Sequence, residues 1–212
     1  MVSKNIIKIH TKTNPMSKLI RLTLATVLVL FASLGAKAQV GEVALKTNLL
    51  YDATGTVNAG IEIGLAPRWT MDVSGNFRGW MNGDQTWKHW LAQPEFRYWF
   101  CDIFAGHFIG IHGIVGQFNW GNFKKASDFL NTKFSYLENH RAQGWGVGAG
   151  IAYGYSWVLG KHWNLEAEIG IGFIRTRFDV YDCEECAKMI DSDVKHTYYG
   201  PTKAAVNLVY LF

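Results

Sequence analysis

The sequence predicts an all-β protein: an eight-stranded antiparallel, transmembrane, up-and-down β-barrel that follows an N-terminal signal peptide. Three observations carry the expectation. An apolar leader ends in the small-residue pattern Ala36-Lys37-Ala38. After it, apolar and polar-or-small residues alternate with period two, which sends them to opposite faces of strands. Short and long connections then alternate between the strand segments, as turns and loops do at the two ends of a membrane barrel.

The leader comes first. Lys18 and Arg21 give a positive start, residues 22–34 are apolar and uncharged, and the A-x-A pattern predicts a mature chain beginning at Gln39. Residues 1–38 are thus read as the signal peptide and 39–212 as one barrel domain. The apolar stretch is too short for a stop-transfer helix, and no Cys follows the cleavage site to mark a lipoprotein. Met16 starts a better-proportioned signal peptide than Met1 does. Removing the leader takes away six basic and no acidic residues, so 15 Lys+Arg face 17 Asp+Glu and the formal charge becomes −2 instead of +4. That removes the basis for nucleic-acid binding. The 9 Trp and 22 Gly fit a membrane barrel, where amphipathic rings settle at headgroup level.

The strands follow in order. Val43, Leu45, Thr47, Leu49 and Tyr51 share one face of the first, with Lys46 and Asn48 opposite. Residues 57–65 alternate without exception and place Glu62 on the polar face. Trp69, Met71, Val73 and Phe77 oppose Thr70, Asp72, Ser74 and Asn76. Trp90, Ala92, Phe96, Tyr98 and Phe100 oppose Gln93, Glu95 and Arg97. Residues 107–119 are strand-like, but glycines in both registers leave the facing open. Trp145, Val147, Ala149, Ile151, Tyr153, Tyr155 and Trp157 oppose glycines and Ser156. Trp163, Leu165, Ala167, Ile169, Ile171 and Phe173 oppose Asn164, Glu166, Glu168 and two glycines. Ala204, Val206, Leu208, Tyr210 and Phe212 oppose Lys203, Ala205 and Asn207. Each strand is expected to span about nine to eleven residues, as a tilted membrane strand does. Residues 66–68, 101–106 and 158–162 are short turns. Residues 78–88, 120–144 and 179–199 are long loops, expected outside the cell, with both termini in the periplasm.

Two barrels share such alternation. A soluble lipocalin-like barrel turns its apolar face inward to hold a ligand. Here the apolar faces are broad and end in aromatics such as Trp145 and Trp157, which suits an interfacial girdle. The other faces carry small residues and charges of both signs. Lys46, Glu62, Asp72, Glu95, Arg97, Glu166, Glu168 and Lys203 are therefore expected to form a salt-bridged plug in a lumen with no open pore, since buried charge must be paired.

Few residues point to chemistry. Cys183 and Cys186, spaced CxxC in the last long loop among several acids, are expected to form a loop disulfide; a lone CxxC is a weak metal signal. Cys101 falls at the opposite end and should be unpaired. The histidines are scattered without a triad spacing, and the glycines of Gly146-Val147-Gly148-Ala149-Gly150 follow the strand period instead of opening a phosphate-binding helix. No catalytic residue and no cofactor is expected. Trp80, Trp87, Trp120 and Phe123 are the candidate loop contacts for a partner. Tyr210 and the terminal Phe212 resemble the signal read by the machinery that inserts outer-membrane barrels.

The strings Lys46-Thr47-Asn48-Leu49-Leu50-Tyr51-Asp52-Ala53, Trp163-Asn164-Leu165-Glu166-Ala167-Glu168-Ile169-Gly170-Ile171-Gly172 and Gly200-Pro201-Thr202-Lys203-Ala204-Ala205 resemble a family of exported outer-membrane β-barrel proteins with a domain of unknown function. Its members are often encoded beside fimbrial genes in anaerobic Gram-negative bacteria. The resemblance covers most of the mature chain. It implies an outer-membrane location and a part in fimbrial assembly or anchoring, and it transfers no catalytic residue. The expected role is non-enzymatic display of loops, with outer-membrane lipid, the insertion machinery and fimbrial or other envelope proteins as partners. The competing readings are a lipid-modifying outer-membrane enzyme and a soluble ligand-binding barrel.

Overall fold

The computed structural model describes residues 42–80, 86–121, 134–138, 140–182 and 188–212. The leader with Met16, Phe123, and Cys183 with Cys186 lie outside the described residues. The strands are β1 (Val43–Asn48), β2 (Val57–Ala66), β3 (Trp69–Arg78), β4 (Thr86–Trp99), β5 (Gly106–Gly121), β6 (Arg141–Val158), β7 (Trp163–Tyr181) and β8 (Met189–Leu211). A short helix α1 (Leu49–Ala53) follows β1, and a 3-10 turn spans Phe134–Glu138. Each strand pairs antiparallel with the next, and β8 closes on β1 through Ala44↔Leu211 to Asn48↔Asn207. The expected eight-stranded up-and-down barrel is the fold. The closing seam spans five residue pairs, so the loop-end part of β8 pairs with β7 alone.

Residues 67–68, 100–105 and 159–162 make the short turns, at the end where Phe212 donates its N–H to the Val43 carbonyl at 3.1 Å. This is the turn end; the opposite, loop end carries α1 and the longer connections.

Three expectations are corrected. The first strand stops at Asn48 instead of reaching Tyr51. The Asn48 side chain accepts the Leu50 N–H at 3.1 Å and caps α1. Asn58 locks this corner, accepting the Asn48 N–H at 2.6 Å and donating to Asp52 Oδ1 at 2.7 Å. Second, the strands are not uniform: they run from 6 residues in β1 to 23 in β8. Third, most of the loop expected at 179–199 is a hairpin extension of β7 and β8, paired as far as Tyr181↔Met189. Its outward side is polar and carries ion pairs such as Arg177 Nε to Asp193 Oδ1 at 3.0 Å, while Val180 and Val194 face the lumen, so it lacks the outward apolar residues by which a membrane strand is read.

Outside, a smooth apolar band covers the barrel. Ile111 and Ile151 at its middle are 68% and 61% exposed. Aromatics flank it: Trp69, Tyr153, Trp157 and Trp163 at the turn end, and Phe77, Trp90 and Trp145 toward the loop end. The twelve-residue step from Trp145 to Trp157 along β6 corresponds to about 30 Å of barrel height for a strand tilted ~40°. The ambiguous β5 faces Phe108, Gly110, His112, Ile114 and Gly116 inward, and Ile109, Ile111 and Val115 outward. Among the described residues no helix is long and apolar enough to cross a membrane, which has no bearing on strands.

Candidate functional site

The lumen is built in three storeys. The turn end is closed by an apolar floor of Ala44, Trp99, Phe104, Phe108 and Val209, all buried. Phe104 adopts φ 62°, unusual for a residue with a side chain, and this turns its ring toward Trp99 at 6.0 Å between centroids. The Phe104 carbonyl accepts from the buried Asn164 Nδ2 at 2.6 Å, and Trp99 Nε1 donates to Thr70 Oγ1 at 2.9 Å. Phe104 belongs to a turn and follows no strand period, and Ala44, Trp99, Phe108 and Val209 are apolar residues at inward strand positions, so the floor has no polar alternation to mark it.

The charged storey lies above it. Register fixes its members: Glu62, Asp72, Glu95 and His112 lie side by side across β2 to β5, and Lys46, Glu166, Glu168 and Lys203 reach in from β1, β7 and β8. All eight residues singled out from sequence point into the lumen and join one network. Arg97, fully buried, is its centre. Its Nη1 donates to Glu62 Oε2 at 2.9 Å and to Glu166 Oε1 at 3.2 Å, its Nη2 to Glu168 Oε2 at 2.7 Å, and its Nε to Glu95 Oε1 at 2.8 Å. The guanidinium also lies 4.5 Å from the Phe108 ring centroid. Lys46 bridges Glu62 and Glu166, the latter at 3.1 Å. Lys203 bridges Glu95 and Glu168, the latter at 3.1 Å. Asp72 is the loosest member, with its three cations at 3.7–4.0 Å and no hydrogen bond to Oδ1 among the described residues. Five carboxylates thus surround three cations.

Glycines make room for this layer. A Cβ on Gly110, opposite Arg97, would strike the Glu95 carboxylate, and one on Gly150 would lie 2.8 Å from the His112 ring. Small residues on β5, β6 and β7 thereby admit the long side chains of β1, β4 and β8.

Above the charges the character of the lumen changes. His112 Nε2 and Thr202 Oγ1 are 2.9 Å apart and mark the floor of a cavity of about 880 Å³. A bulge lets Thr202 and Lys203 both reach inward: β8 skips a residue between Gly170↔Lys203 and Ile171↔Pro201, and Pro201, having no N–H, suits such a break. Leu91, Ile114, Phe118, Ile174, Phe178 and Val180 line the walls, and Leu137 of the 3-10 turn meets them near the mouth. The inward positions of β6 from Ala142 to Gly150 carry only Ala and Gly, which is why the space is open. The plug expected from sequence therefore occupies only part of the lumen.

The remaining predicted residues separate. Trp87 and Trp120 lie within β4 and β5, directly paired, and both line the cavity; they stand on strands, not in loops. Arg78 stacks over Trp87 at 4.5 Å. Trp80 is exposed beyond β3, edge-on to Phe77 at 6.4 Å. Tyr210 packs among His162, Trp163 and Phe212 at the turn end, and Phe212 is exposed. Cys101 is a free, exposed thiol in a turn. Among the described residues no group of His, Cys, Asp and Glu is arranged to hold a metal ion.

The family model described as "Protein of unknown function (DUF3575)" matches residues 24–212, a span that takes in every strand. No curated protein matches the chain.

Proposed function

The chain belongs to this protein family, and we propose that it is a non-enzymatic barrel embedded in a Gram-negative outer membrane, displaying its loop end outside the cell. One observation supports this above the rest: the barrel is inside-out relative to a water-soluble protein. Arg97, Glu62 and Glu166 are sealed in the lumen while isoleucines, valines and tryptophans face outward in a continuous band. In water that band would be an apolar patch far larger than soluble monomers carry. In a bilayer it matches the outward belt of such barrels, with aromatics at both interfaces. The charged plug and apolar floor leave no aqueous path along the lumen, which favours a role in display or anchoring over one as a pore.

The partner class suggested by the sequence resemblance is fimbrial or another envelope protein. It would be met by Trp80, the 3-10 turn and the β7–β8 hairpin, which stand at the loop end. Fractionation of expressing cells, followed by gel electrophoresis with and without boiling, tests the membrane reading. An outer-membrane band whose mobility shifts on heating is expected. A protein that stays soluble without detergent and shows no shift overturns it. Affinity capture of envelope proteins by the intact barrel, compared with a barrel whose loops are shortened, tests display; equal capture by both refutes it.

A further inference from the structure

We infer that the cavity at the loop end is a binding site for one anionic, long-chain acyl ligand, held chain-inward with its headgroup near Arg78 and His89. The volume of about 880 Å³ lies within the range of small-molecule sites, roughly 300–1,000 Å³. From His112 beside the floor to Trp120 near the mouth, β5 runs eight residues, giving a depth of about 20 Å for a tilted strand. The shape is thus long and narrow.

Its walls select for hydrocarbon. Leu91, Ile114, Phe118, Ile174 and Phe178 present carbon, and Gly116 and Gly146 present backbone already committed to the ladder. Three of the wall hydroxyls are occupied by the protein itself. Thr176 Oγ1 donates to the His196 carbonyl at 3.2 Å, Tyr198 to the Pro201 carbonyl at 3.3 Å, and Thr202 pairs with His112. Asp191 and His196 also line the space, but between the carbon walls below them a sugar or nucleotide would find few partners for its polar atoms, and burying those atoms unpaired is costly. An acyl chain asks for none.

The mouth supplies the complementary charge. Arg78 and His89 are direct cross-strand partners on β3 and β4. Arg78 is buried, and its guanidinium is held by the Thr54 carbonyl and the Trp87 ring. The buried atoms Arg78 Nε and His89 Nδ1 have no hydrogen-bond partner among the described residues. His89 lines the cavity and Arg78 stands behind it against Trp87, also a lining residue; such a pair beside an apolar shaft suits a carboxylate or phosphate at the end of an acyl chain. The chain could come from a free fatty acid or from a membrane lipid.

Occupation of the cavity does not depend on where the barrel resides, and photolabelling reads it separately from fractionation. The purified full-length barrel is exposed to a fatty acid carrying a diazirine on its terminal carbons, irradiated, and mapped by peptide mass spectrometry. A phospholipid with the same labelled chain forms a second arm. Saturable labelling of inward residues such as Ile114 and Ile174, competed by unlabelled fatty acid, is the expected result; whichever arm labels more strongly identifies the source. Filling the shaft with Leu91→Trp plus Ile174→Trp should lower inward labelling about tenfold or more while the heat-shifted band persists. His89→Leu should weaken labelling by the fatty acid but not by its methyl ester. Labelling of the unmodified protein confined to outward residues such as Ile111 and Ile151, without saturation, overturns the inference whether or not the variants fold.

Discussion

Replacing Arg97 by Leu should destabilise the barrel more than any other single change in the lumen. Arg97 lies within 3.2 Å of four carboxylates and 3.7 Å from a fifth. Removing it leaves Lys46 and Lys203 to balance five acids. Breaking one buried pair by deleting a partner costs about 3–5 kcal/mol, because the remaining charge stays buried and uncompensated. Here four charge-assisted bonds are lost together, so the expected loss is at the upper end of that range, ~5 kcal/mol. Arg97→Lys keeps the positive charge but not the planar fork that reaches Glu62, Glu95, Glu166 and Glu168 at once, and should fall between the two. The assay is urea unfolding of the barrel refolded in thin-bilayer vesicles, followed by tryptophan fluorescence and by loss of the heat-shifted band. Adding Glu168→Gln to Arg97→Leu should recover part of the loss, since one carboxylate stripped of its partner is neutralised. A double-mutant cycle measures that coupling. If Arg97→Leu costs less than ~1 kcal/mol, as an exposed pair would, or if Glu168→Gln adds its own full cost, the network is not the central support argued for it.

Asp72→Asn should cost less than ~1 kcal/mol or stabilise, because Asp72 makes only contacts of 3.7–4.0 Å in a layer where acids outnumber bases; the urea midpoint decides, and a loss like that of Arg97→Leu counts against this charge balance. Ile151→Arg, at the middle of the outward band, should cost ~2–4 kcal/mol in vesicles and little in detergent-free buffer if the chain is soluble; vesicle unfolding separates these outcomes. In a background with Cys183 and Cys186 replaced by Ser, an impermeant maleimide should label the exposed Cys101 only after the outer membrane is breached. Labelling in intact cells would reverse the assigned orientation.

Alternation, cleanest in residues 57–65 and 163–173 and repeated in the other strand segments, gives barrel class, strand number and the eight lumen charges, because strands of this kind have one apolar and one polar face. Where both faces are alike, the period is silent. The β7–β8 hairpin beyond Arg175 is polar on its outward side and mixed on its inward one, where Thr176 and His196 stand among Phe178, Val180 and Val194, and it reads as a loop. The cavity wall is the reverse case, apolar on both sides, and its signal is present in the sequence: Trp90-Leu91, Ile114-Val115 and Phe173-Ile174 are adjacent apolar pairs on three strands. Such a pair requires that the inward side be as dry as the outward one. The turn residue Phe104 and the helix at Leu49–Ala53 depend on local capping and positive φ, which hydropathy does not register.

The two halves of the lumen solve the same packing problem in opposite ways, and the contrast bears on function. In the turn half long polar side chains fold over glycines of the neighbouring strand, as Glu95 does over Gly110 and His112 over Gly150. Among the described residues no long polar side chain folds over Gly146; its nearest neighbours are the Thr176 and Ile174 methyl groups and the Arg175 carbonyl. A barrel needed only as a rigid stake could carry leucines at Leu91-like positions all round this level and gain their dispersion contacts, since wall atoms facing a void forfeit them. Apolar walls, internally satisfied hydroxyls and two unpaired nitrogens at the mouth make the hollow half an unfavourable place for water and a favourable one for hydrocarbon with an anionic end. Lipid supplies that chemistry at the surface of the very band that holds the barrel, so display of the loop end and capture of an acyl chain are compatible tasks for one closed wall.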